Sequence, residues 1–137
     1  MAGNGNTSTT ENITSGTFTL ANGELTLTLS SGVTIKQSKV SGSTAVNGDY
    51  NTVSKLRVYK GHALTFSGKT FTRIEIVVNG NYYGNNLTAN TGTLTPTTTT
   101  GGTIVWEGES DNVVITNNGA SGVTTQLRTT SFKVTYN

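Results

Sequence analysis

Apolar and polar residues alternate along most of this chain. In the stretch GTFTLANGELTLTL, Phe18 and Leu20 alternate with threonines, and Leu25, Leu27 and Leu29 do the same against Thr26 and Thr28. A period of two places one set of side chains on one face of an extended strand. The intervening ANGE reads as a short hairpin turn. Val33 and Ile35 continue the pattern, and residues 36–54 read as a long polar connection. Leu56 and Val58 then share a side, with Arg57 and Tyr59 opposite. HALTFSG follows Gly61, and in FTRIEIVV the residues Ile74, Ile76 and Val78 share a face. After NGNYYGNN, which reads as a loop, short strands are predicted around Leu87 and Leu94. Pro96 and the threonines after it break the pattern, as an edge or a loop would. TIVWEGE and NVVIT read as separate strands joined by ESDN, and QLRTTSFKVTY closes the chain with Phe132, Val134 and Tyr136 aligned.

Nine or ten short strands with Gly/Asn turns predict an all-β fold, a single antiparallel β-sandwich of jelly-roll-like type. No repeat of fixed period points to a solenoid or propeller. Residues 1–15 read as a polar N-terminal arm, and residues 16–137 as the sandwich domain, a length that suits one hydrophobic core. Thr, Gly, Asn and Ser dominate the composition and charged residues make up only 12%. Threonine favours pleated, half-exposed surfaces, and Gly and Asn serve turns.

The formal net charge is +2, with the basic residues scattered along the chain. No basic stripe interleaves with aromatics, which argues against nucleic acid as a partner. Cysteine is absent, which excludes disulfides, thiolate metal sites and a Cys nucleophile. No apolar run approaches the roughly 20 residues of a membrane span. The first residues have neither a basic start nor an apolar core, so they do not read as a secretory leader.

Little in the sequence points to catalysis. His62, the single histidine, sits in YKGHAL and reads as a surface turn residue. No GxSxG elbow presents a nucleophile to it. Glu107, Glu109 and Asp111 alternate in WEGESDN and would project from one face of a strand. Calcium accepts carboxylate and carbonyl oxygens, so these residues are a candidate Ca²⁺ site; the alternative is a solvated acidic strand end. Trp106 and Phe18, Phe66, Phe71, Phe132 and Tyr136 lie in strand patterns and read as core. Tyr50, Tyr82 and Tyr83 do not. Tyr82 and Tyr83 stand among Asn79, Asn81, Asn85 and Asn86, and Tyr50 lies in the polar connection. A tyrosine ring offers a flat partner for the C–H face of a sugar plus a hydroxyl handle. Tyr82, Tyr83, Asn81, Asn85 and Tyr50 are therefore candidate ligand-binding residues; the alternative has one tyrosine capping the sandwich while its neighbour meets solvent.

The order of LRVYKGHALTFSGKTFTRIEIVV, NLTANTGTLT, GGTIVWEGESDNVVITN and QLRTTSFKVTY resembles β-sandwich modules at the C-termini of secreted or surface proteins of Bacteroidetes bacteria. The likeness spans residues 55–137 and loosely 16–54. It departs where those modules carry Trp-Thr-Gly, since here the step is Trp106-Glu107-Gly108, and where an Arg-Ile pair is replaced by Leu127-Arg128. The resemblance implies a non-catalytic accessory module, extracellular or at the cell surface, with a glycan or surface polymer as partner. The competing expectation is a structural protein of a bacteriophage virion, a decoration or fibre subunit. Its polar arm would then dock on a neighbour, in a homo-oligomer or against capsid or fibre subunits.

Overall fold

A computed structural model describes residues 7–119 and 126–137. The described residues form ten strands and no helix: β1 (Thr9–Ile13), β2 (Thr19–Ala21), β3 (Glu24–Thr28), β4 (Thr34–Lys39), β5 (Arg57–Val58), β6 (His62–Tyr83), β7 (Leu87–Ala89), β8 (Thr93–Thr95), β9 (Thr103–Asn117) and β10 (Leu127–Tyr136). All pair antiparallel in one continuous sheet. The β2–β3 hairpin closes through Asn22 and Gly23, both at positive φ, which suits the twist of an antiparallel pair.

The layers of the expected sandwich are two halves of this one sheet. The first half of β6 lies between β4 and the end of β9, and its second half between β10 and the start of β9. The halves face one another: the ring of Phe66, on the first, meets that of Phe132, on β10, edge-on at 5.8 Å. Phe71 joins the same cluster between Phe66 and Tyr136. Trp106, Phe18, Phe66, Phe71 and Phe132 are buried, as is the apolar face of every long strand. Burying one such side chain contributes about 1.5–3 kcal/mol, so the shared core binds the halves together.

Two breaks that read as strand ends are bends. HALTFSG, FTRIEIVV and the first part of NGNYYGNN are one strand, β6, and TIVWEGE, ESDN and NVVIT are one strand, β9. The breaks lie across from each other, Ser67 opposite Asn112 and Phe71 opposite Ser110, with register shifts alongside. Both strands therefore bend at the same level, where bulges increase curvature without ending the ladder. Gly68 makes the bend possible. Its φ is +94°, and a Cβ there would run into the carbonyl oxygen of Gly32. Two further expectations shift. Residues 36–39, read as part of the polar connection, belong to β4. Thr9–Ile13, within the expected arm, pair along β10 of their own chain, with Ile13 buried.

His62 is not a surface turn residue. It is fully buried at the start of β6. Its Nε2–H donates to the Thr44 carbonyl at 2.7 Å, and its Nδ1 accepts from Gln37 Nε2 at 3.0 Å. A carbonyl only accepts and an amide nitrogen only donates, so both bonds suit one neutral tautomer. Burial is the main cause that lowers the His62 pKa below its usual 6.5. The Thr44 bond opposes that shift and the Lys39 charge adds to it.

Candidate ligand-binding site

The candidate site forms where the segment before β5 is fastened across β10. Thr129 holds this segment twice: its N–H donates to the Leu56 carbonyl at 3.1 Å, and its hydroxyl donates to the Val53 carbonyl at 2.7 Å. Gln37 Nε2 donates to the Arg57 carbonyl at 2.7 Å. Asn51 is tied to Phe18 in both directions, through its carbonyl and its side-chain amide. The segment from Tyr50 to Arg57 is thus tied to Phe18 at one end and to β4 and β10 at the other, which limits its freedom before any ligand arrives.

Across from them, β6 is widened. Val78 pairs with Thr129 and Tyr83 with Leu127, so Asn79, Gly80, Asn81 and Tyr82 stand opposite the single residue Arg128. The excess bulges outward and is pinned at its base, where Val78 N–H donates to the Gly102 carbonyl and Gly101 N–H to the Gly80 carbonyl. NGNYYGNN is therefore a wide bulge ending a strand, then a turn, rather than a loop between strands.

The bulge brings Tyr82 to Arg128, and the pairing of β5 with β10 brings Arg128 to Arg57. The two arginines are direct cross-strand partners. Like charges at that spacing repel. Each guanidinium instead lies over a tyrosine ring: Arg57 over Tyr50 at 3.5 Å, Arg128 over Tyr82 at 3.7 Å. Such a stack contributes about 0.5–1 kcal/mol at a partly exposed site. Arg128 Nε also donates to Gln126 Oε1 at 2.9 Å. Beside these stacks lies a depression of about 300 Å³ lined by Tyr50, Lys55, Arg57, Asn79 and Arg128. Among the described residues, no carboxylate lies within 4.0 Å of Lys55, Arg57 or Arg128. The ion pairs present are Lys36–Glu24, Arg73–Glu75, Arg73–Glu107 and Lys133–Glu75.

The other residues singled out from sequence fall elsewhere. Tyr83 packs on the core and, with Asn85, lines a second depression that reaches Pro96 and Thr97. Asn85 is engaged through its backbone: its N–H meets Asn117 Oδ1 at 3.4 Å and its carbonyl accepts from Gly119. Asn81 is exposed on the bulge beside Tyr82. Thus Tyr50 and Tyr82 each stack on an arginine, Asn81 neighbours Tyr82 on the bulge, and of the five candidates only Tyr50 lines the depression. Glu107, Glu109 and Asp111 are exposed on β9. Glu107 is taken by Arg73, whose Nη1 donates to it at 2.8 Å. Among the described residues, no group of three or more His, Cys, Asp or Glu side chains is gathered where it could hold a metal.

Lys55, Arg57 and Arg128 are not candidates from sequence, and Asn79 enters there only as one of the asparagines around Tyr82 and Tyr83. A faint signal exists, since both arginines follow a leucine whose side chain is buried, in Leu56-Arg57 and Leu127-Arg128. That places each arginine on the outer face of its strand, but only the strand pairing makes them neighbours. No family model, no curated protein and no solved structure matches the chain.

Proposed function

We propose that this chain is a non-catalytic carbohydrate-binding module. It holds its ligand at the face formed by Tyr50, Arg57, Arg128 and Tyr82, with Asn79 and Asn81 as hydrogen-bond partners. The observation that carries this reading is the preformed depression beside two fixed tyrosine rings. Its volume sits at the lower end of the roughly 300–1,000 Å³ common for small-ligand sites, which suits one or two sugar rings. Tyrosine combines a flat apolar body with a polar tip, and asparagine amides both donate and accept to hydroxyls. Binding to glycans or another surface polymer would attach a parent protein at a cell surface, the role implied by the Bacteroidetes modules this chain resembles.

A broad glycan array tests the reading, with the wild-type chain beside Tyr50→Ala/Tyr82→Ala. Selective binding abolished by the double substitution is the expected result. Silence across the array, or binding that the substitution leaves intact, contradicts it.

A second reading, a structural subunit of a virion, draws support from β2. All its residues are exposed, with Leu20 at 49%, and it stands last in the strand order of the sheet, although residues 51–53 run beside residues 16–18 that lead into it. A strand at the end of a sheet is where another chain would pair. Sedimentation distinguishes the two: a monomer at micromolar concentration favours the module, and a defined oligomer favours the assembly role.

A further inference from the structure

We propose that the saccharide held at this face is acidic, its carboxylate or sulfate seated between Arg57 and Arg128. The inference rests on the carbohydrate reading above and concerns the class of sugar.

Most carboxylates with a described partner sit away from this face: Glu24, Glu75 and Glu107 serve Lys36, Arg73 and Lys133, and Glu11 takes bonds from Ser31 and Tyr136. Lys55, Arg57 and Arg128 converge on one depression with none of them paired to a carboxylate. Asp49, next in sequence to Tyr50, is exposed and makes no ion pair among the described residues. Three cations around one hollow, two of them direct cross-strand neighbours, raise the local potential and favour an anion there.

Donor geometry points the same way. Among the described residues, no protein acceptor meets the Arg57 guanidinium, and Arg128 spends only its Nε on Gln126. The terminal N–H groups of both forks therefore remain for an outside acceptor. A guanidinium matches the planar spacing of a carboxylate and also binds the oxygens of a sulfate. Stacking on Tyr50 and Tyr82 orients both forks beforehand, so little conformational freedom is lost when an anion binds. Neutral sugars would leave the repulsion between the arginines uncompensated.

Calorimetric titration with matched probes tests this. The probes are a galacturonate trimer, the neutral galactose trimer, galactose 6-sulfate and sodium sulfate. The expected result is at least about tenfold tighter binding of an acidic sugar than of the galactose trimer, weakened as salt is raised. Preference for galacturonate assigns a carboxylate, and preference for the 6-sulfate assigns a sulfate. Arg57→Gln and Arg128→Gln should each lower affinity for the acidic sugar about tenfold, as expected for loss of a charged hydrogen-bond partner. Lys55→Ala, at an exposed side chain that stacks on nothing, serves as the variant least able to disturb folding and should weaken binding several-fold. Equal affinity for the acidic and neutral trimers overturns the inference and leaves the carbohydrate reading standing. Binding of sodium sulfate with no saccharide bound overturns both, as does silence with every probe.

Discussion

Replacing Gly68 with alanine should damage the fold far more than the same change at an unhindered glycine. Gly68 sits at the shared bend of β6 and β9 with φ at +94°, a region alanine enters at a cost of about 1–2 kcal/mol. The larger cost is steric. An added Cβ would overlap the Gly32 carbonyl oxygen, reach the Gly32 carbonyl carbon at 3.0 Å and approach Val33 Cα at 3.5 Å. All are backbone atoms leading into β4, so no flexible side chain can yield. Shifting that backbone adds about 1–3 kcal/mol, by analogy with overpacked cores, for a total of about 2–5 kcal/mol. Domains of this kind hold about 5–15 kcal/mol in all, so the loss should lower Tm by roughly 7–17 °C, at about 3.5 °C per kcal/mol for a chain of this length. Gly101 is the control: its φ is +70° but a Cβ would meet nothing within 4 Å, so Gly101→Ala should cost only about 1 kcal/mol. Chemical denaturation of both variants beside wild type measures the difference. Equal losses would refute the close approach as the reason for glycine at the bend.

Three further substitutions probe the core and the scaffold of the site. The lowered His62 pKa means that the unfolded chain binds a proton more readily than the folded one, so stability is full above pH 6.5 and falls as pH drops below it; melting temperatures from pH 7.5 to 5.5 should show this slope, and His62→Gln should flatten it. Trp106 is fully buried and its indole N–H donates to the Thr91 carbonyl at 2.7 Å, so Trp106→Ala should cost about 3–5 kcal/mol in urea unfolding. Thr129→Val leaves the buried Val53 carbonyl without its partner, and should cost about 1–3 kcal/mol while weakening ligand binding through the loosened Tyr50–Arg57 segment. Unchanged stability in the valine variant would remove Thr129 from the account of how the site is held.

How far such features can be read from sequence depends on the range of the interaction behind them. Leu25 and Leu27, Ile74, Ile76 and Val78, and Phe132 and Val134 alternate with polar residues and are buried as that alternation implies. The Asn22-Gly23 turn is equally local. The bends read as strand ends because Gly68 and the ESDN stretch carry the composition of turns, and only their pairing across β6 and β9 makes them bulges. His62 reads as exposed because its partners, Gln37 and Thr44, lie in other segments. The site divides the same way. Tyr50 and Tyr82 stand out as aromatics outside any core pattern, whereas their stacking on Arg57 and Arg128 depends on β5 pairing with β10 and on the β6 bulge, where Asn79 to Tyr82 stand opposite Arg128 alone. Charge scattered along the chain thus becomes charge concentrated in space.

The most direct test of the binding face is an NMR titration of the labelled protein with the tightest saccharide from the array, followed through backbone amides and arginine Nε–H signals. The largest shifts are expected at Tyr50, Lys55, Arg57, Asn79, Tyr82 and Arg128, with both arginine side-chain signals moving together. Shifts centred on Tyr83, Asn85 and Thr97, or on Glu107 to Asp111, would contradict it and move the ligand to another part of the sheet.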